Sequence, residues 1–305
     1  MALSAPMRCS AVAEQLGEPM IGSIDQRARW LLVEDRGAWG ERAVRDLLGA
    51  ELEAEAKARG IRLLLVRRRE GDPAADAVRR VFLVDTEARE VAVRTVEAVA
   101  EIAALLDLPV ADFGAPLHDP LLLVCTNGKR DACCALRGRA LMTALAADHA
   151  ERTWECTHLG GHRFAGNLVC LPDGIVYGRV SAADGPRLAD LYLTGHLDPA
   201  MLRGRSAWPP PAQVAEAALR AHLGLDGVED VVLEVASVSG EEASVVLRAG
   251  SEAHRFDLVA ERADPPRPIS CRADELETPL HWRIVTRDMG QVAAESRLPP
   301  SSGPG

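Results

Sequence analysis

The sequence predicts an α/β fold of two half-chains with similar element order, followed by a small α+β appendage. Three observations lead there. Short apolar runs of strand length alternate with longer amphipathic stretches, the pattern of strands covered by helices. The order read over residues 29–106 returns, with one further strand, about ninety residues later. Finally, Pro209-Pro210-Pro211 interrupts the chain ahead of one more helix and three short strands.

Composition bounds the problem. At 305 residues the chain has room for roughly two domains, and 48% apolar with 26% charged residues is ordinary for a globular protein. There are 35 basic and 45 acidic residues, a net charge of −10 that argues against nucleic acid or an anionic membrane as partner. Aromatics total only 4%, too few for a base-stacking platform. No run of 18 apolar residues reads as a membrane span, and the first residues do not read as a secretion signal. The expected location is therefore the cytosol, where seven cysteines read as thiols or metal ligands before disulfides.

Taken in order, the first twenty or so residues read as a loop-rich lead-in. Arg29–Glu34 is a strand, 42–58 an amphipathic helical stretch, Ile61–Val66 and Val81–Val84 two more strands, and Val96–Leu106 has helical spacing, giving β-α-β-β-α. In the second set Leu121–Cys125 is a strand, Ala135–Ala147 a helix and Thr153–Thr157 a strand. Leu168–Leu171 and Ile175–Tyr177 make a hairpin around Pro172-Asp173-Gly174, and Gly185–Gly195 is a helix. The two sets read as thioredoxin-like halves, the first degenerate, matched mainly by WLLVE against LLLVC; the alternative is one continuous sheet. The stretch 203–211 reads as a linker, 212–223 as a helix, and 231–238, 243–248 and 254–259 as a three-stranded meander. The expected division is 1–112, 113–202, a linker and small α+β domain over 203–285, and a disordered tail over 286–305.

The chemistry concentrates in Cys125–Gly178. Cys125 ends a strand, and Cys134 lies at the start of the next helix, whose positive end favours a thiolate. Lys129 and Arg130 add positive charge. His158 and His162 bracket Gly160-Gly161, which argues against a helix and for a tight loop able to pass close to a bulky ligand. Two thiolates and two imidazoles form a complete donor set for tetrahedral zinc or for a [2Fe–2S] cluster, and the spacing C-x8-C with H-x3-H does not choose between them. Cys133 competes with Cys134 for the ligand role, and Cys156 is a weaker candidate. Cys9, Cys170 and Cys271 read as small buried hydrophobes, and the six remaining histidines as structural. Arg163 reads as a surface charge or as a donor to cluster sulfur or a partner's carboxylate. Asp131 reads as a loop partner of Arg130 or as a support for the cysteine loop.

The run CTNGKRDACCALRGRAL…WECTHLGGHRFAGNLVCLPDGIVYGRV resembles the sucrase/ferredoxin-like family, and the resemblance extends from Arg8-Cys9-Ser10 to Arg203-Gly204-Arg205-Ser206. It implies a thioredoxin-like ferredoxin domain in which Cys125 and Cys134 ligate one iron of a [2Fe–2S] cluster and His158 and His162 the other. No carboxylate pair supports a glycosidase. The leading expectation is thus an electron-transfer or redox-sensing protein rather than a catalyst. Neutral imidazoles in place of thiolates raise its potential, and separate, unidentified redox proteins are its partners. No nucleotide-binding fingerprint points to a flavin or nicotinamide. The alternatives are a thioredoxin-type thiol-disulfide oxidoreductase and a zinc-stabilised binding module.

Overall fold

The computed structural model describes residues 8–68 and 78–288. Its centre is a ten-stranded mixed sheet. The apolar run RWLLVE forms β1 (Arg29–Glu34), parallel to β2 (Ile61–Arg67) and antiparallel to β3 (Arg79–Asp85). Next to β3 comes β4 (Glu90–Val96), then the short β5 (Ala115–Pro116) at the edge. The second half repeats this scheme. Here β6 (Leu121–Cys125) is parallel to β7 (Thr153–Cys156) and antiparallel to β8 (Leu168–Leu171), followed by β9 (Ile175–Tyr177) and β10 (Leu202–Arg205). Outward from the β2–β7 seam the orders are β2-β1-β3-β4-β5 and β7-β6-β8-β9-β10, so the two halves are related strand for strand within one sheet. The mixed α/β architecture, with its thioredoxin-like halves, is the expected one.

Several elements differ from expectation, each for a physical reason. The lead-in contains α1 (Cys9–Gln15), whose Cys9, Ser10 and Ala13 are buried. The amphipathic stretch is two helices, α2 (Ala43–Leu48) and α3 (Ala50–Ala58), split at Gly49 with φ 88°. The helical spacing after residue 96 yields only a 3₁₀ turn over Val99–Leu105, because β4 takes the chain up to Val96. A short α4 (Val110–Phe113) precedes β5.

The expected linker begins with β10, whose four residues are all buried, and its prolines open a helix. Pro210 is the first residue of α7 (Pro210–Leu223), where a missing N–H costs nothing. The expected three-stranded meander has four strands: β11 (Val231–Ser239), β12 (Glu242–Ala249), β13 (Glu252–Arg262) and β14 (Leu280–Asp288). Residues 286–288 of the expected tail therefore belong to β14, and 289–305 lie outside the described residues.

One apolar cluster joins the halves. Trp30, Leu32, Leu64 and Phe82 meet Leu123, Trp154, Val169 and Val176 on one face of the sheet. Phe82 meets Trp154 edge-on, with centroids 5.3 Å apart, an arrangement that adds about 0.5–1.5 kcal/mol beyond area burial. On the other face, one cluster holds α2 and α3 residues such as Leu48 and Leu52. A second lies beneath α5 (Ala132–His149) and α6 (Asp184–Leu193). No helix among the described residues is long and apolar enough to cross a membrane.

Candidate metal centre

The parallel strands β6 and β7 run side by side, with Cys125 in register with Cys156 at their ends. The chain leaves the sheet there, at the edge where loops of α/β folds gather ligands. Asp131 caps α5 by accepting a hydrogen bond from the Cys133 N–H at 2.8 Å. The first helical turn therefore begins with Cys133 and Cys134 on neighbouring but divergent positions. The helix closes onto the strand end at Gly138, where a Cβ would lie 2.2 Å from the Cys125 carbonyl oxygen.

Cys125, Cys134 and His158 bring one ligand atom each to within 4.8 Å of one another. His162 stands alongside, its ring stacked on that of His158 with centroids 4.0 Å apart and planes 7° from parallel. Gly160 and Gly161 between them have φ 85° and 68°, left-handed values that suit glycine. The two sulfurs sit in an apolar cluster with Leu123, Trp154 and Leu159. The Nδ1 of His162 is buried without a hydrogen-bond partner, and that of His158 accepts from the Gly160 N–H at 3.4 Å.

The electrostatics suit ligation. The Cys134 thiol, and after it His158, hold Cys125 well below the ordinary thiol range, while the same contact keeps the proton on Cys134. Burial, reinforced by His158, lowers His162 to about 3 and leaves it a neutral imidazole, the form that binds metal. Arg203, fully buried on β10, clamps the histidine loop. It donates to Asn167 Oδ1 at 2.7 Å and to the Gly160 carbonyl at 3.3 Å, and its Nη2 and Nε reach the Ser23 carbonyl and hydroxyl at 3.1 Å. Asn167 in turn donates to the Gly161 carbonyl, and its own carbonyl accepts from the Cys125 N–H. Neither Arg203 nor Asn167 stood out in the sequence. The available signals were the family resemblance, which extends to Arg203-Gly204-Arg205-Ser206, and two arginines two apart in a stretch whose prolines suggested a linker.

The other candidates sort clearly. Cys133 faces away from this group and lies 3.6 Å from Cys9 and 3.2 Å from Cys271. Cys9 and Cys271 are thus gathered with Cys133 rather than scattered as small hydrophobes, and Cys271 is exposed. Cys170 is the core residue expected. Cys156 belongs to the apolar cluster beside Cys125, its thiol pushed well up by burial. Arg130 pairs with Glu41 at 3.4 Å rather than with Asp131, which is fully buried. Arg163 is not a free surface charge: it pairs with buried Glu18 at 2.9 Å and lies over Phe164.

The profile of the sucrase/ferredoxin-like family matches residues 20–204, more than half of the chain. Two fungal proteins are similar over shorter stretches. "Altered inheritance of mitochondria protein 32" of Meyerozyma guilliermondii is 34% identical over 84 residues, which cover 24% of this chain and 30% of the relative. The protein of the same name from Eremothecium gossypii is 33% identical over 106 residues, covering 30% of this chain and 34% of the relative. The chain therefore spans about a third of the length of the curated relatives it matches. No solved structure matches it.

Proposed function

The chain belongs to the sucrase/ferredoxin-like family, and from that premise we propose that it is an electron-transfer or redox-sensing protein holding one [2Fe–2S] cluster on Cys125, Cys134, His158 and His162. The observation that carries this reading is the donor set: two buried thiols and His158 within 4.8 Å, with a second, neutral imidazole stacked beside it. When bound, such a cluster takes up and returns one electron, at a potential raised by neutral imidazole donors.

The chain's own residues divide the remaining work. The apolar shell of Leu123, Trp154 and Leu159 keeps water from the sulfurs. Arg203 fixes the histidine loop and places a buried positive charge near both thiols, which favours an added electron. His158 is only half-buried and borders a cleft of about 390 Å³ lined by Arg42, Arg45, Arg130, Glu41 and Glu53. That side is where a redox partner would come closest. Against a thiol-disulfide exchange reaction stand Cys125 and Cys134 themselves, each 1% exposed and out of reach of a disulfide substrate.

The test uses protein purified without air, with iron, sulfide and zinc assayed beside visible absorption and reduced-state EPR. Two irons and two sulfides per chain, with a low average g value, are expected. His158→Ala and His162→Ala should each lose the cluster or change its spectrum. A colourless protein that stays colourless after reconstitution with iron and sulfide would overturn the proposal, as would an unchanged spectrum and iron content in both variants.

A further inference from the structure

We propose that Cys9, Cys133, Cys271 and Asp131 form a second, separate metal site, mononuclear and suited to zinc. The four residues come from three distant parts of the chain: α1, the start of α5, and the segment between β13 and β14. Their sulfurs converge nonetheless, with Cys9 to Cys133 at 3.6 Å, Cys133 to Cys271 at 3.2 Å and Cys271 to Cys9 at 3.5 Å. The Asp131 Oδ2 lies 3.9 Å from the Cys9 sulfur, and the four ligand atoms all fall within 4.8 Å of one another.

The dimensions select the metal. Two sulfurs bound to one tetrahedral zinc at about 2.3 Å stand about 3.8 Å apart, close to the separations seen. A four-iron cluster spreads its thiolates over separate irons and needs a wider cup. Three thiolates and a carboxylate complete a tetrahedron with no open position, the form of a structural zinc site.

Asp131 is prepared for this role. It is fully buried, and among the described residues no arginine or lysine pairs with it. Its Oδ1 accepts from the Cys133 N–H at 2.8 Å. Its Oδ2, on the thiol side, accepts from the Cys271 N–H at 2.8 Å and the Ser270 hydroxyl at 3.1 Å. These donors orient the carboxylate as outer hydrogen bonds orient metal ligands, and a divalent cation would balance its buried charge. Cys9 and Cys133 are buried while Cys271 is exposed, so an ion has a way in. Binding forms three Zn–S bonds and one Zn–O bond, displaces the water ligands of the aqueous ion, and releases to solvent the protons still held by the thiols, with no change of oxidation state.

The site would fasten the N-terminal helix and the segment after β13 to the first turn of α5. Cys134, the next residue of that turn, belongs to the cluster site, and Asp131 Oδ2 lies 3.8 Å from His162 Nδ1. The two centres would then be neighbours built back to back on one helix N-terminus.

The experiment counts metals on the full chain, purified without air from cells supplied with zinc. One zinc per chain is expected beside the iron, and zinc X-ray absorption should find three sulfurs at about 2.3 Å and one oxygen at about 2.0–2.2 Å. Cys9→Ser and Cys271→Ser should each lower zinc occupancy about ten-fold or more while iron and visible spectrum stay; Cys125→Ser should do the reverse. Absence of zinc from the unaltered chain would overturn the proposal, and so would a disulfide among the three thiols in air-free protein. A zinc shell of two sulfurs and two nitrogens would also overturn it, by placing zinc on the histidine site, and only that outcome counts against the cluster as well. The absorption measurement needs no variant, so a misfolded substitution leaves the test intact.

Discussion

Gly161 shows how closely the histidine loop is built. A Cβ at this position would lie 2.2 Å from the Arg203 guanidinium, and φ is 68°. At Gly160, with φ 85°, a Cβ would meet nothing within 4 Å. Gly160→Ala is therefore expected to cost only the left-handed backbone strain, about 1–2 kcal/mol. Gly161→Ala adds a clash that moves either Arg203 or His162, so its loss of stability should be larger and accompanied by lower iron occupancy. Urea midpoints at unchanged m, read beside iron content, separate the two effects. Equal losses in the two variants would mean that Arg203 does not brace the loop. The same scale resolves Cys133 against Cys134: consecutive positions in the first turn of α5 send one thiol to Cys9 and Cys271 and the other to Cys125 and His158.

Between elements, the join of β10 to α7 is made by charge in the interior. Glu216 Oε1 accepts from Arg205 Nε at 2.8 Å and from Arg220 Nε at 2.9 Å, and all three side chains are at most 3% exposed. Removing one member of such a group leaves the others buried and uncompensated, a loss of about 3–5 kcal/mol. Glu216→Ala is accordingly expected to lower the thermal midpoint by many degrees, measured by circular dichroism. A change of a degree or two would mean that water reaches the arginines. The wedge of Ala212, Ala215 and Leu219 against Phe256 and Leu258 holds the other side of α7, so the helix couples the large sheet to the small one.

Across the whole molecule the seam between the halves is short in strand pairing and broad in apolar contact. The β2–β7 register holds only Val66 with Cys156 and Arg67 with Glu155. The shared cluster running from Trp30 and Phe82 to Trp154 and Val176 crosses it, and cooperative unfolding follows apolar burial more closely than any single strand pair. Far-UV and near-UV circular dichroism should therefore report one thermal transition for the ten-stranded sheet. Two separated transitions would show that each half holds its own fold.

Most strands, the internal repeat and the histidine loop were legible in the sequence, because apolar periodicity and a glycine pair between histidines are local properties of the chain; β4, β5, β10 and β14 were not. The match of WLLVE to LLLVC corresponds to β1 and β6, the equivalent strands of the two halves. Long-range convergence left no such trace. Arg203 and Arg205 stand beside prolines in a stretch with the look of a linker, yet both are buried, because Asn167, the Gly160 carbonyl and Glu216 await them from other parts of the chain. Cys9 and Cys271 are 262 positions apart, and each alone reads as a small buried hydrophobe. Only packing α1, α5 and the segment after β13 around Asp131 brings their sulfurs within 3.5 Å of each other, since ligand geometry belongs to contacts between segments and not to the order of residues within one.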